Sequence, residues 1–379
     1  MRKSIRFIAL VVTIFMVFCL CMSSLAEEEI VIGLAAMQTG SLSQVGAMQT
    51  YGLQMAINEV NAAGGVNGEK VAIRIEDTAS DPDMAINAMN KFGADDSISL
   101  SIGFQLSSLI IGCDSAISKS SLPTIATGSS LAIYDLDNPY IFRGRASDTI
   151  AAAIAAKYLV EELGATNVGI LYCTDVFGTG GYTVASEYYD SIGIPYTAES
   201  HNVDDADMSS QVMKIMQAGC DGVLIWTSNA PYVILARNIY ELGFEVPVMT
   251  NPSLSDGGVI ALCEEEWLES WYAVSDYAAD NPDADLVDFG TRFEDLYGVP
   301  ADSVAAVYYS LGHMICDAFA RAEDPHNREA VREALASTDY EGVVTHYVCD
   351  NVRDLVHSIN IITMNEGLQY GYVGTYTTD

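Results

Sequence analysis

The chain has 379 residues with 17 basic and 51 acidic side chains, a formal net charge of −34. Such a surface repels phosphate backbones, which excludes nucleic acid as a partner. The length suits two domains of ordinary size, and half of the residues are hydrophobic, enough to give each a core.

The first residues carry the pattern of a secretory signal. Arg2, Lys3 and Arg6 precede an apolar stretch from Phe7 through Cys21, and Ser24-Leu25-Ala26 offers small residues for cleavage. This predicts a signal peptide over residues 1–26 and an exported protein, since the 15-residue stretch is shorter than the roughly 20 residues a membrane span needs. Leu20 and Phe18 stand before Cys21 and Cys19, where a lipid-modified cysteine needs a small neighbour, so simple export is favoured over lipid anchoring. Cleavage removes three basic residues and takes the charge from −34 to −37. Six cysteines remain: Cys113, Cys173, Cys220, Cys263, Cys316 and Cys349. Export permits disulfides, but no C-x-x-C pair occurs and several sit where a small buried hydrophobe belongs, so mostly unpaired core cysteines are expected.

From Ile30 onward, short apolar strands alternate with amphipathic helices. Ile30–Ala35 reads as a buried strand, and Leu53, Ala56, Ile57 and Val60 fall on one helical face. Gly64-Gly65 ends that helix, and Val66-Asn67-Gly68 turns into the strand Val71–Glu76. Asp81-Pro82 supplies a cap and a first helical residue. Strands over Ser97–Gly103 and Leu122–Thr127 flank a helix around Ser108–Ser118. The rhythm restarts with a helix capped by Asp148 and the strand Val168–Cys173. Helices near Gly181–Ser191 and Ser209–Ala218, the strand Gly222–Thr227, a helix from Pro231 to Leu242 and the strand Val246–Thr250 continue it. Three successive helices (Asp285–Tyr297, Asp302–Arg321, Asn327–Ala336) and a hairpin (Ser358–Met364, Gln369–Tyr376) complete the chain. Two such series predict an α/β protein of two Rossmann-like lobes with parallel sheets. No Pro-, Gly- or Ser-rich linker divides them, so the chain is expected to cross between lobes more than once.

Catalytic signatures are thin. The sequence has no G-x-S-x-G elbow, Walker A loop or H-E-x-x-H pair, and its five histidines are scattered. Gly178-Thr179-Gly180-Gly181 fails the dinucleotide fingerprint at Thr183 and reads as a tight strand-to-helix turn. The acidic group Asp280, Asp283 and Asp285 lacks the glycine and terminal glutamate of a calcium loop. No enzyme activity, cofactor or metal is expected. More telling are hydroxyl residues at two strand-to-helix turns of the first lobe, Ser107 and Gly128-Ser129-Ser130. Ligands of open α/β sheets bind at such strand ends, where hydroxyls and free N–H groups can hold an anion. Helix capping alone also accounts for a serine there.

Longer stretches carry a family likeness: Met37-Gln38-Thr39-Gly40 with Gly46, the run from Ala56 to Gly68, Glu76-Asp77, Ser80-Asp81-Pro82, and Asn138-Pro139-Tyr140-Ile141-Phe142-Arg143 with Asp148. Over residues 29–350 the chain resembles the branched-chain amino acid (leucine/isoleucine/valine) binding proteins of the periplasmic-binding type I fold. The resemblance implies two lobes joined by a three-segment hinge: residues 27–146 and 276–340 in the first lobe, 147–275 and 341–379 in the second. It implies a monomer that traps a small carboxylate ligand, an amino acid or organic acid, and delivers it to an ABC permease with its ATPase subunits. A sensory protein docking on a receptor and an exported Rossmann-like enzyme are the alternatives.

On the family pattern Ser107 and Ser130 hold the ligand carboxylate, and the Gly128 carbonyl accepts from its ammonium. Val45, Phe177 and Ser228 occupy side-chain-pocket positions, with Asn229 beside Ser228 and Asn251 near the second-lobe site. Pro252 stands where the family places an acid against the ammonium. Asn251 or Asp175 could replace that acid, or the ligand could be a carboxylate without an amine.

Overall fold

The computed structural model describes residues 29–378, apart from the side chains of residues 229 and 230. The expected signal peptide lies outside the described residues. No helix among them is long and apolar enough to cross a membrane.

The first lobe is built in the expected alternation: β1 (Ile30–Ala36), α1 (Ser43–Ala62), β2 (Val71–Asp77), α2 (Pro82–Ala94), β3 (Ile98–Gly103), α3 (Ser107–Ser120), β4 (Thr124–Ala126) and β5 (Ile141–Arg143). Local chemistry sets the joints. Gly64 and Gly65 take φ of +114° and +77° behind α1, and the Asp81 side chain accepts from Met84 N before Pro82 starts α2.

The second lobe repeats the plan with α4 (Asp148–Glu161), β6 (Val168–Cys173), α5 (Val176–Ile192), β7 (Tyr196–His201), α6 (Ser209–Gln217), β8 (Gly222–Trp226), α7 (Asn229–Glu241), β9 (Val248–Thr250), the short α8 (Gly257–Ile260) and β10 (Trp271–Ser275). Helices α9 (Ala284–Tyr297), α10 (Ser303–Arg321) and α11 (Arg328–Ala336) follow, then the small hairpin β11 (Asp339–Glu341) and β12 (His346–Val348). The closing hairpin is β13 (Ser358–Asn365) and β14 (Gln369–Thr377).

The sheets show how alike the lobes are. The first is β2-β1-β3-β4-β5, all parallel. The second contains β7-β6-β8-β9-β10 in the same order and sense, extended by antiparallel β13 and β14. Each sheet therefore reverses its winding beside its first strand, and the strand ends facing that reversal are where an open α/β sheet binds ligand.

Three crossovers join the lobes: residues 144–147 after β5, 276–277 after β10, and 354–357 before β13. The last comes later than a boundary at 340/341. The β11–β12 hairpin stays with α10, where Val344 N donates to Ser310 Oγ at 3.4 Å. Two buried ion pairs tie the crossovers together. Arg143 pairs with Asp354 and stacks over the Tyr134 ring, while Arg145 Nε donates to Asp276 Oδ2 at 2.8 Å.

Several local expectations change. Helix α5 starts five residues before Gly181, so the glycine group lies inside the helix instead of in a turn. Its glycines serve packing: a Cβ on Gly178 would lie 2.1 Å from the Cys173 carbonyl oxygen, and one on Gly181 2.1 Å from the Trp226 ring. Asp148 is the first residue of α4, with Ser147 at the cap. Strands β7 and β10 complete the second sheet where only helices and loops were expected. All six described cysteines are free thiols, five of them buried.

Candidate functional site

A cavity of about 260 Å³ lies between the lobes at the carboxyl ends of their strands. That is just below the roughly 300–1,000 Å³ typical of small-molecule sites, a size for one compact metabolite.

The first-lobe wall forms where β3 and β4 give way to α3 and the β4–β5 connection. Gly103 adopts φ +136°, and a Cβ there would collide with the Ala35 carbonyl at 2.1 Å, so the strand can end only with glycine. The chain then places Ser107 as the first residue of α3, with helix N–H groups free beside it. Gly128 lets the neighbouring turn press against it: a Cβ on Gly128 would lie 3.0 Å from both Cα and Oγ of Ser107. Ser130 N donates to Ser107 Oγ at 3.2 Å, fixing the serine's orientation.

Behind this wall a buried polar relay reaches the core. Gln49 Nε2 donates to Tyr308 OH at 2.8 Å, and Tyr308 OH meets Thr127 Oγ1 at 3.0 Å. Thr127 Oγ1 also donates to Gln105 Oε1 at 2.9 Å. Thr127 and Gln105 line the cavity, so the relay holds their polar atoms in place.

The second-lobe wall comes from the ends of β6, β8 and β9. Asp175 caps α5 by accepting from Gly178 N at 2.7 Å. Phe177 leans on the buried Trp226 with ring centroids 5.9 Å apart. After β9, Asn251 Nδ2 donates to Thr227 O at 2.6 Å and Ser253 Oγ at 3.1 Å, while its Oδ1 is buried without a partner. Pro252 opens a single turn to Ser255, after which Asp256 caps α8 by accepting from Gly258 N at 2.9 Å. Arg145, from the first crossover, lines the cavity as well.

Of the residues singled out in the sequence, Val45, Ser107, Phe177, Ser228 and Asn251 line this cavity, as do Asp175 and Pro252. Gly128 and Ser130 stand behind the surface, and Ser129 faces the cavity between them. The Ser130 hydroxyl donates to the Val176 carbonyl at 2.9 Å, so it links the lobes. The Asn229 side chain lies outside the described residues. Asp256 and Arg145 were missed. The pattern Ser255-Asp256-Gly257 is a legible helix cap, and Arg145 stands two residues beyond the family stretch that ends at Arg143.

Electrostatics are weighted to the acidic side. Burial pushes the Asp302 carboxyl up to about 7, and the facing charge of Asp256 on the other lobe adds to the rise. Burial also raises Asp256, against the pull of Arg145. Asp148, wholly buried at the start of α4, is raised by burial to about 7, with Arg145 opposing.

The chain as a whole has similar proteins. Relatives include the Leu/Ile/Val-binding protein homolog 1 of Brucella abortus (strain 2308), 27% identical over 60% of this chain and 62% of its own length. The match thus spans less than two thirds of that relative. Homolog 3 of Brucella melitensis biotype 1 is 25% identical over 83% of this chain and 84% of its own. The branched-chain amino acid transporter substrate-binding protein LivJ of Streptococcus pneumoniae, solved with isoleucine, superposes with a TM-score of 0.82 at 20% identity, covering 92% of this chain and 99% of that one. The periplasmic binding protein family model matches residues 29–367, nearly all of the described chain, and the protein belongs to that family.

Proposed function

We infer that this is the extracytoplasmic solute-binding protein of an ABC importer and that its ligand is an α-amino acid held between the lobes. The observation that carries the reading is a cavity lined from both lobes, with Ser107, Ser129 and the N-terminus of α3 on the first-lobe wall and the carboxylates Asp175 and Asp256 on the second. Ser107 and Ser129, beside the N-terminus of α3, suit the ligand's carboxylate. Asp175 and Asp256 supply the acid that Pro252 does not. A zwitterion matches such opposed walls, whereas a ligand without an amine leaves two carboxylates beside it unmatched.

The relatives' names, Leu/Ile/Val-binding homologues and a transporter substrate-binding protein with isoleucine, support the class. On this reading the protein acts as an exported monomer without a catalytic step and passes ligand to a permease driven by ATPase subunits.

A thermal-shift screen of the purified protein against amino acids and small organic acids tests the reading. A ligand at 100 times its dissociation constant stabilises by about 2.7 kcal/mol. An amino acid should be among the stabilisers; stabilisation by amine-free acids alone would overturn the assignment.

A further inference from the structure

We propose, building on the amino acid reading, that the cleft selects an amino acid whose side chain ends in a cation. Charges and hydrogen-bonding groups around the cavity are unevenly divided.

Apart from the Ser228 hydroxyl at the cap of α7, the polar side chains of the second-lobe wall offer mainly acceptors. Ser253 Oγ donates its proton to Thr227 O at 3.2 Å and Ser255 Oγ donates to Pro252 O at 2.7 Å, so neither hydroxyl has a proton left for a ligand. Asn251 presents Oδ1, because its Nδ2 is committed to Thr227 O and Ser253 Oγ. That Oδ1 is buried and unpartnered, and Asn251 lines the cavity, so a donor from the ligand would satisfy it. Asp175 and Asp256 each accept a helix N–H through Oδ1, from Gly178 and Gly258 respectively. Neither carboxylate takes part in an ion pair among the described residues. The one cationic side chain on the lining, Arg145, directs both Nε and Nη2 to Asp276 Oδ2.

An α-ammonium brings three N–H donors and one positive charge. Its one positive charge balances only one of the two carboxylates, Asp175 and Asp256. The two acids also sit at different ends. Asp175 adjoins Val176, whose carbonyl takes the Ser130 hydroxyl, and so lies beside the carboxylate-binding turns. Asp256 lies across the cleft, against the start of α10: a Cβ on the adjacent Gly257 would lie 3.7 Å from Asp302 Oδ2. The α-ammonium falls to Asp175, and Asp256 takes a second cation at the end of the side chain. Apolar side chains on the lining, among them Met37, Leu42, Val45, Leu106, Phe177 and Val304, would pack the aliphatic stem that carries this second cation.

Calorimetric titration with L-lysine, L-ornithine, Nε-acetyl-lysine, L-leucine and L-glutamate tests the proposal on the unmodified protein. Lysine or ornithine should bind at least tenfold tighter than leucine, glutamate or Nε-acetyl-lysine. Asp256→Asn, which keeps an acceptor for Gly258 N, should abolish the preference of lysine over its acetylated form; Asp175→Asn should weaken every α-amino acid alike. Leucine or glutamate binding as tightly as lysine would overturn the charge selection and leave the amino acid reading standing. An absence of binding by any amino acid would remove that reading itself. The acetyl-lysine comparison needs no variant, so it decides the matter even if Asp256→Asn fails to fold.

Discussion

The Ser130 hydroxyl of the first lobe donates to the Val176 carbonyl of the second at 2.9 Å. The two residues are 46 positions apart in sequence, and their contact lies behind the cavity wall, so lobe approach and site assembly are one event. A neutral hydrogen bond contributes about 0.5–1.5 kcal/mol net. Ser130→Ala should therefore weaken ligand binding by roughly two- to tenfold. Titration calorimetry checks the affinity. Solution scattering of the ligand-free variant should show a larger radius of gyration, and identical affinity would remove the latch role.

Ser107 is the residue assigned to the ligand's charged carboxylate. Replacing it by alanine loses a hydrogen bond to a charged group, about 1.5–3 kcal/mol or roughly ten- to a hundredfold in affinity. Its hydroxyl also accepts from Ser130 N, so a small loss of stability should accompany the change. Wild-type affinity in this variant would move the carboxylate site elsewhere.

Arg145 and Asp276 form a buried ion pair between the first and second crossovers, with side-chain exposures of 14% and 5%. Arg145→Met leaves the aspartate buried and unpaired and should cost about 3–5 kcal/mol in chemical denaturation. The double variant Arg145→Met, Asp276→Leu should recover much of that loss, because no charge is then stranded. A double variant no more stable than the single one would show that the crossovers need the pair itself.

Stability should fall as pH rises from about 4 to about 7 through the action of Asp302 and Asp148. Burial raises both carboxyls from the ordinary 3.8 to about 7 in the folded state. In that window the folded protein retains protons that the unfolded chain releases, so raising the pH favours unfolding, and the loss is complete above pH 7. Asp302 Oδ1 accepts from Ala305 N at 2.9 Å, a role asparagine can keep. Asp302→Asn should narrow the difference in melting temperature between pH 5 and pH 8, and an unchanged difference would place the titration elsewhere.

Gly181 packs against the Trp226 ring, where an added Cβ would come within 2.1 Å. Overpacking of this kind costs about 1–3 kcal/mol. Gly181→Ala should show that loss in denaturant unfolding even though alanine is the better helix former; a stabilised variant would mean the indole moves aside freely.

What the sequence determined by itself was local. The alternation of apolar strands and amphipathic helices gave two parallel-sheet lobes, Asp81-Pro82 the start of α2, and Asn365-Glu366-Gly367 the turn between β13 and β14. Such signals involve residues close in the chain, so spacing alone carries them. Strand β7, mostly half-buried at the sheet edge, has no comparable pattern of its own and exists because β6 pairs with it. The division of labour among Ser107, Ser129 and Ser130 was likewise a tertiary decision. The three are alike as residues, and only the position of Val176, brought across from the other lobe, draws the Ser130 hydroxyl away from the ligand. Asp256 follows the same logic: its sequence context specifies a helix cap, and the crossovers that set one lobe against the other turn that cap into a wall of the cleft.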